Sequence, residues 1–254
     1  MIVRPATGSR IERLIRYPMF LLVGVAIAVL VVVIVREARK YQGKQNLIQS
    51  AKNLKQIGKA FMDYHDAHGH LPPAAVYGKD GQPLYSWRVL LLPYLGEQDL
   101  YSQFNLEEPW DSPNNKPLLA KMPLVYVHPT EGKAKEPYGT YYQVFVGGGA
   151  VFEAGPESKP LSLKRIDDAQ KASRGVPGTS HTLLIIEAGN AVPWTKPEDL
   201  PYDPDRPLPK LGDCYKDSRF IFLIADGSVH GTWPGYPPEI LRSVIPWNPP
   251  PWKE

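Results

Sequence analysis

An uninterrupted apolar run near the N-terminus, from Pro18 to Val35, is the strongest pattern in the chain. It holds 18 residues without a charge. As an α-helix the run would be about 27 Å long, close to the thickness of the hydrocarbon layer of a membrane. A buried core helix is the alternative, but such a helix usually shows a polar stripe, and this run has none. The run therefore predicts a transmembrane helix.

The residues that follow indicate an uncleaved signal anchor. Residues 36–40 read REARK and offer no Ala-x-Ala site of the kind that a cleaved signal peptide carries. Basic residues flank the run on both sides, so their distribution does not orient the helix. A short tail before the anchor and a large segment after it favour a tail inside and a head outside. We expect a single-pass protein of the cell inner membrane, with residues 1–17 in the cytoplasm, the anchor at 18–35 and the head facing the periplasm.

A helical pattern continues beyond the membrane run to about residue 70. Apolar positions recur at alternating intervals of four and three, which makes one narrow stripe; they are Leu47, Ala51, Leu54, Gly58, Phe61 and His65. Gly69 and the following Leu71-Pro72-Pro73 should end the helix. The stripe predicts a helical extension, residues 36–70, that packs against a sheet of the head.

From Leu84 onward the pattern is one of short β-runs. Four runs are rich in β-branched and aromatic residues and are bounded by Gly and Pro: residues 122–128, 140–147, 182–188 and 219–225. Asp226-Gly227 after the last run predicts a type I′ hairpin turn. Long connections between the runs favour an antiparallel sheet with elaborate loops. The predicted fold is α+β, with a long N-terminal helix packed on the antiparallel sheet of a pilin-like, β-rich head, residues 71–254.

Two aromatic stretches of the head raise the question of a binding site. In residues 86–115 the apolar side chains recur at the spacing of a buried helix face, at Trp87, Leu90, Leu91, Tyr94 and Leu95. This spacing indicates a packed corner of the fold rather than a binding site. Ser86 would cap the helix, and Pro93 would kink it. Residues 192–209 contain six prolines and no apolar period, which predicts a stiff, extended surface loop.

The charge distribution argues against a nucleic-acid partner. The whole chain of 254 residues has a formal net charge of +3. Residues 1–52 contain nine Lys or Arg and two Asp or Glu, a balance of +7, so the remainder carries about −4. The positive charge therefore flanks the membrane segment, where it would meet anionic lipid head groups. A nucleic-acid-binding protein would instead concentrate it on the folded domain.

Candidate chemistry is sparse. Cys214 is the only cysteine, which excludes an internal disulfide and a multi-cysteine zinc site, and the acids on both sides of it disfavour a reactive thiolate. His65, His68 and His70 form the densest group of ligand-type side chains, with a polar helix end as the alternative to a metal site. The proline-rich segment contains three acids that suggest a calcium site, Asp199, Asp203 and Asp205. The ligand order of an EF-hand loop is absent, however. We assign no catalytic, cofactor-binding or metal-binding residue and expect no cofactor and no enzymatic activity.

Six segments also resemble a large bacterial family that is abundant in planctomycetes. They are residues 53–73, 86–95, 100–115, 144–153, 178–203 and 225–229, with NLKQIGKAFMDYHDAHGHLPP and LYSQFNLEEPWDSPNN among them. The family is catalogued as domain of unknown function 1559 and is sometimes labelled solute-binding. It resembles type II secretion pseudopilins, so the resemblance implies an N-terminal hydrophobic helix that runs into an antiparallel sheet.

The chain departs from this family pattern at two places. Many members begin with a prepilin peptidase signal, a Gly followed by Phe-Thr-Leu-x-Glu, whereas this span opens with Tyr17-Pro18-Met19-Phe20. The difference argues against processing and filament assembly. Many members also carry cysteines where this chain has Ser50 and His128, so a disulfide between those positions would be missing here.

The patterns together predict a non-enzymatic, membrane-anchored, pseudopilin-like envelope protein whose extracytoplasmic head mediates assembly or surface interactions. Its expected partners are the lipid bilayer and either other proteins or copies of itself. The alternative is a tethered module that binds a solute or glycan through aromatic residues such as Trp110 and Trp194. An apolar pocket with converging polar groups would favour the binding module, and a flat head with a long exposed helix stripe would favour assembly.

Overall fold

One long helix, α1 (Arg10–His68), forms the N-terminal part of the protein. The computed structural model describes residues 10–130, 136–172, 178–212, 214–215 and 218–247. The chain divides into two units, Met1–Gln45 and Asn46–Glu254, and α1 contributes residues to both. Gly69 ends the helix as predicted, because its left-handed φ of 78° lets its N–H bond the His65 carbonyl at 2.7 Å.

In the N-terminal unit the apolar side chains of α1 from Leu21 to Val35 are exposed. Its large apolar residues from Leu21 to Val35 keep between 41% and 70% of their surface accessible. Among the described residues, α1 is the one helix long and apolar enough to cross a membrane, and none of its most apolar window is buried within the protein. Exposing so much apolar surface to water is unfavourable, so this segment suits a lipid environment. The helix is consistent with the predicted single-pass anchor.

The second unit, Asn46–Glu254, forms the head. In chain order its described strands and helices after α1 are β1 (Ala75–Tyr77), β2 (Pro83–Ser86), α2 (Trp87–Leu90), α3 (Gln98–Tyr101), β3 (Gly139–Gln143), β4 (Phe145–Val146), α4 (Leu163–Ala172), β5 (Leu183–Pro193), β6 (Leu200–Pro201), β7 (Ile221–Ile224), β8 (Val229–Gly231) and α5 (Pro238–Arg242). Short 3₁₀ helices lie at Leu92–Leu95, Lys116–Lys121, Leu124–Tyr126 and Thr179–His181.

The central sheet of the head is antiparallel and has the strand order β3-β5-β7-β8. β1 and β2 form a separate antiparallel hairpin, and β4 pairs in parallel with β6. The predicted α+β class, a long N-terminal helix with an antiparallel sheet, is confirmed.

The head portion of α1 buries its apolar stripe in the core, as predicted. Leu54, Ile57 and Phe61 are inaccessible to solvent and share one hydrophobic core with Leu223 of β7. At Gly58 the helix comes so close to the sheet that an added Cβ would lie 2.8 Å from Leu223 Cδ2. The missing side chain is therefore what allows this close approach.

The packed corner predicted for residues 86–115 is confirmed. Trp87 is fully buried, and its ring centroid lies 5.0 Å from that of Phe61 and 6.2 Å from that of Tyr126. The side chain of Ser86 caps α2 by accepting a hydrogen bond from the Arg88 N–H. The aromatic residues at the start of this stretch serve packing rather than ligand capture.

The predicted strand at residues 122–128 is wrong. Pro123 precedes a 3₁₀ turn in which the Tyr126 N–H bonds the Pro123 carbonyl at 3.0 Å. The turn buries Val125 and Tyr126 and leaves Leu124 exposed. Proline presets the backbone for such a turn, and this overrides the β-branched composition of the run.

The predicted hairpin between β7 and β8 is confirmed, but its turn type is not. The Ile224 N–H bonds the Ser228 carbonyl and the Gly227 N–H bonds the Ile224 carbonyl, both at 2.9 Å. Gly227 has a φ of 85°, whereas positive φ among the described non-glycine residues occurs only at Tyr138 and Ser218. A type I′ turn needs two central residues of positive φ. The connection is therefore a three-residue loop with glycine at its left-handed position.

Candidate functional site

The most polar part of the interior is a cluster around Glu187 of β5. Glu187 is fully buried. Its Oε1 accepts hydrogen bonds from the Ser50 hydroxyl, from His128 Nε2 at 2.8 Å and from the Tyr215 hydroxyl at 3.1 Å. Its Oε2 accepts the Ile221 N–H at 2.7 Å. These hydrogen bonds offset the cost of removing a carboxylate from water. Ser50 and His128, the two positions that the family resemblance singles out, thus meet at one carboxylate oxygen.

His128 is held on both of its ring nitrogens. It is fully buried, and its Nδ1 lies 2.6 Å from Thr130 Oγ1 and accepts the Thr130 N–H at 3.3 Å. Because Nδ1 accepts, the proton that is donated to Glu187 sits on Nε2. The rings of Tyr141 and Tyr215 pack edge-on against the imidazole, each with its centroid 5.3 Å away. The ring is therefore fixed in orientation as well as in position.

Two tyrosines enclose the other side of the carboxylate. The Tyr142 hydroxyl lies 2.7 Å from Ser50 Oγ and accepts a hydrogen bond from Asn53 Nδ2 at 3.2 Å. Burial, with the nearby Glu187 charge as a second cause, raises the pKa of Tyr142 and of Tyr215. Both phenols therefore stay protonated and remain available as hydrogen-bond donors.

Cys214 belongs to the same cluster. It is fully buried, and ligand-type atoms of His128, Glu187 and Cys214 lie within 4.8 Å of one another. Imidazole, carboxylate and thiolate are the groups that bind zinc-type metal ions. The burial of all three means that an organic substrate in solvent does not reach them. The cluster can therefore act either as the ligand set of a single metal ion or as a hydrogen-bonded core.

A second buried polar group, the Arg88–Asp199 ion pair, lies elsewhere in the head. Arg88 Nη2 is 2.7 Å from Asp199 Oδ1, and the two side chains are 0% and 2% exposed. The guanidinium also donates to the Tyr142 carbonyl, and Asp199 accepts the Val144 N–H at 3.0 Å. Burial raises the pKa of the Asp199 carboxyl, and Arg88 opposes that rise. The pair ties the proline-rich segment to α2 and the sheet, so its role is structural.

An open groove of about 280 Å³ lies next to this ion pair. Its lining is Ala74, Ala75, Tyr77, Val146, Glu153, Ala154, Pro197, Glu198, Asp199 and Pro201. The lining contains three acidic side chains and no basic one. The Tyr77 hydroxyl on its wall accepts the Gly155 N–H at 3.1 Å. Two of these carboxylates already have cationic partners, since Asp199 pairs with Arg88 and Glu198 with Lys196. The groove is large enough for a small solute, and its carboxylate oxygens favour one with hydrogen-bond donors.

The histidines flagged by the sequence have separate partners. His65 Nε2 accepts the Leu163 N–H at 3.3 Å, and His70 Nδ1 lies 2.9 Å from the Leu71 carbonyl. His68 stacks on the Tyr64 ring, with the centroids 4.0 Å apart. Among the described residues, the His128, Glu187 and Cys214 group is the one that brings three ligand-type atoms together. His65, His68 and His70 therefore make the contacts of a polar helix end.

The first part of the proline-rich segment, residues 192–202, folds onto the core, which corrects the predicted surface loop there, whereas residues 204–207 are exposed as predicted. Trp194 is fully buried, stacks on Tyr126 with the centroids 5.9 Å apart, and donates its indole N–H to the Leu119 carbonyl at 3.0 Å. It is therefore not placed to capture a solute. Asp199 of this segment is separated from the other two aspartates, since it pairs with Arg88, while Asp203 lies beside Arg206 and accepts the Asp205 N–H at 2.9 Å.

Sequence reasoning missed the Glu187 cluster because its members are far apart in the chain. One signal was present: Glu187 is the only charged residue in the apolar run 182–188. A lone charge in a buried strand requires a partner. The identity of that partner cannot be read from local spacing.

Comparison with known proteins gives one match. A search of curated proteins and a search of solved structures each return no match. A family model described as "Protein of unknown function (DUF1559)" matches residues 36–208, which is more than half of the chain. This agrees with the resemblance drawn from the sequence motifs, including the solute-binding label that the family carries. The chain belongs to the DUF1559 family.

Proposed function

We propose that this protein is a non-enzymatic, membrane-anchored, pseudopilin-like envelope protein whose periplasmic head mediates assembly or surface interactions. The observation that supports the membrane anchor is the two-part character of α1; assembly rests on the family resemblance, since the apolar stripe of α1 in the head is buried rather than exposed. Apolar side chains of residues 21–35 are exposed, whereas Leu54, Ile57 and Phe61 of the same helix are buried in the head. Lipid is the partner that such an exposed apolar helix requires. Membership of the DUF1559 family fits an envelope protein of this kind.

Protease accessibility tests the membrane topology. Protease added to spheroplasts should digest the head and leave a small protected N-terminal fragment, while a cytoplasmic marker protein stays intact. A head that resists protease until the membrane is dissolved contradicts the proposed orientation.

Cross-linking in intact membranes tests the proposed role of the head. The proposal expects cross-links from the head either to a second copy of the chain or to another envelope protein, identified by mass spectrometry. A head that cross-links to no protein, while control envelope proteins do, counts against assembly and surface interaction.

The acidic groove supports a second candidate function, a tethered solute- or glycan-binding module. Its volume of about 280 Å³ suits a monosaccharide-sized solute, and its lining includes Tyr77, Glu153 and Glu198. Calorimetric titration with glucosamine and with glucose compares a cationic sugar with a neutral one of similar size. Binding of glucosamine that Glu198→Gln weakens would support this function, and an absence of heat with both sugars would count against it.

A further inference from the structure

The His128, Glu187 and Cys214 side chains already approximate the ligand shell of a metal ion. Their ligand-type atoms lie within 4.8 Å of one another. In a tetrahedral zinc site the ligand atoms are about 3.3–3.8 Å apart, because each sits about 2.0–2.3 Å from the metal. Side-chain adjustments of about 1 Å would therefore close the three residues around an ion. Nitrogen, oxygen and sulfur ligands together favour Zn²⁺ over the oxygen-preferring Mg²⁺ and Ca²⁺.

The charge of the cluster also fits a divalent ion. Glu187 receives hydrogen bonds from Ser50, His128, Tyr215 and Ile221, and none of these is a Lys or Arg. Within the described part of the chain its ion-pair partner is His128 alone, and a buried carboxylate without a permanent cationic partner is costly. A carboxylate and a thiolate together supply two negative charges, so a divalent cation would make the buried cluster neutral.

The groups behind the three ligands are those that a metal site needs. A metal-bound histidine normally donates its second ring N–H to an acceptor, which fixes the ring. Thr130 Oγ1 lies 2.6 Å from His128 Nδ1 and is placed to be that acceptor once Nε2 binds the metal. The Glu187 carboxylate is also fixed in position, because it accepts hydrogen bonds from the Ile221 N–H and the Tyr215 hydroxyl.

We propose that His128 Nε2, a Glu187 carboxylate oxygen and Cys214 Sγ bind one zinc-type divalent cation inside the head. Binding breaks the Cys214 S–H bond and forms a metal–sulfur bond, and the thiol proton passes to solvent. The imidazole moves its remaining proton from Nε2 to Nδ1. Because all three residues are fully buried, the ion enters while the chain folds, and its binding energy adds to the stability of the head. This site is independent of the membrane topology and of the groove.

Cobalt substitution gives the sharpest test. The full-length chain in detergent is refolded with Zn²⁺, with Co²⁺ or with a chelator, freed of loose metal, and its metal content is measured. We expect about one ion per chain and a thiolate-to-cobalt charge-transfer band in the near ultraviolet. Cys214 is the only cysteine in the sequence, so such a band has one possible source.

Two variants locate the site. Cys214→Ser should abolish the thiolate band and weaken metal binding at least tenfold, because serine is a poor zinc ligand. His68→Gln, at the exposed polar end of α1, is the control and should keep both the metal-to-chain ratio and the thiolate band. If Cys214→Ser does not fold, the wild-type spectrum alone decides.

Three results would overturn the proposal. The first is a wild-type chain that folds with a native near-ultraviolet circular dichroism spectrum and holds no metal. The second is bound cobalt without a thiolate band. The third is metal binding that His68→Gln removes and Cys214→Ser leaves unchanged.

Discussion

At the scale of single residues, Trp87 shows what the buried aromatic side chains contribute. It is fully buried against Phe61 and Tyr126, and its indole Nε1 lies 3.4 Å from Asp199 Oδ1. Trp87→Ala should therefore lower the free energy of unfolding by about 3–5 kcal/mol, since it removes a large apolar contact and leaves a cavity. Thermal melts of the full chain in detergent measure the change.

Trp233, which is 55% exposed, supplies the control for this experiment. Trp233→Ala removes the same side chain from a site open to solvent, so its melting temperature should stay near that of the wild type. Equal melting temperatures for the two variants would mean that Trp87 is not part of a cooperative core.

Trp194 should behave like Trp87, contrary to what its proline-rich surroundings indicate. Its ring is fully buried where it stacks on Tyr126, and its hydrogen bond to the Leu119 carbonyl is partly buried. Trp194→Ala should cost about 3–5 kcal/mol, by the same cavity argument. A urea titration checks this, with Trp110→Ala as the comparison, because Trp110 is only partly buried. A decrease in the free energy of unfolding of less than about 1 kcal/mol would contradict the expectation that Trp194 belongs to the cooperative core.

At the scale of elements, α1 was the most predictable part of the fold. Its apolar run is uninterrupted over 18 residues and its stripe keeps one helical period, and such long patterns outweigh local exceptions. The run at 122–128 is too short to repeat a pattern, and the single residue Pro123 was enough to make it a 3₁₀ turn instead of the predicted strand. The hairpin after β7 was predictable from Asp226-Gly227, whereas its turn type depended on the single positive φ at Gly227.

A charge within the apolar segment tests α1 as an anchor. Val29 lies in the middle of the exposed apolar segment, and an arginine at the centre of a membrane helix costs about 2.5–3.5 kcal/mol on insertion scales. Val29→Arg should therefore move part of the protein from the membrane fraction to the soluble fraction. Gln45→Arg introduces the same charge outside the apolar run and should leave the distribution unchanged. Full membrane retention of Val29→Arg after a carbonate wash would contradict an anchor at this segment.

At the scale of the whole molecule, the buried tyrosines predict sensitivity to alkali. Burial raises the pKa of Tyr85 to about 12 from its ordinary value of 10.0, and it also raises the pKa values of Tyr126, Tyr142 and Tyr215. The unfolded chain loses these protons at lower pH than the folded one. Their contribution to stability is therefore complete below about pH 10; that of Tyr85 is lost as the pH rises through about 12, and that of the other three is lost at still higher pH.

Circular dichroism and phenolate absorbance, recorded together during an alkaline titration, measure this effect. The buried tyrosines should ionise only as the circular dichroism signal falls. Tyr85→Phe removes one of the raised groups and should lessen the loss of stability between about pH 10 and pH 12. Ionisation of all tyrosines near pH 10 with an unchanged fold would contradict the expectation.

The Glu187 cluster was beyond sequence reasoning for a physical reason. Ser50, His128 and Cys214 come from three distant parts of the chain, and their meeting depends on the packing of α1 and of the loops on the sheet. A helical or strand period records which face of an element is buried. It carries no information on which polar side chains from other elements meet that face, so only the need of Glu187 for a partner was foreseeable.

The close approach at Gly58 limits how this protein can transmit a mechanical signal. Sliding α1 along the sheet by one turn, about 5.4 Å, would bring Leu54 or Met62 to the place where even a Cβ would lie 2.8 Å from Leu223 Cδ2. A piston stroke of the helix against the sheet is therefore blocked in both directions. A pull or push on α1 would instead have to carry the sheet along with it.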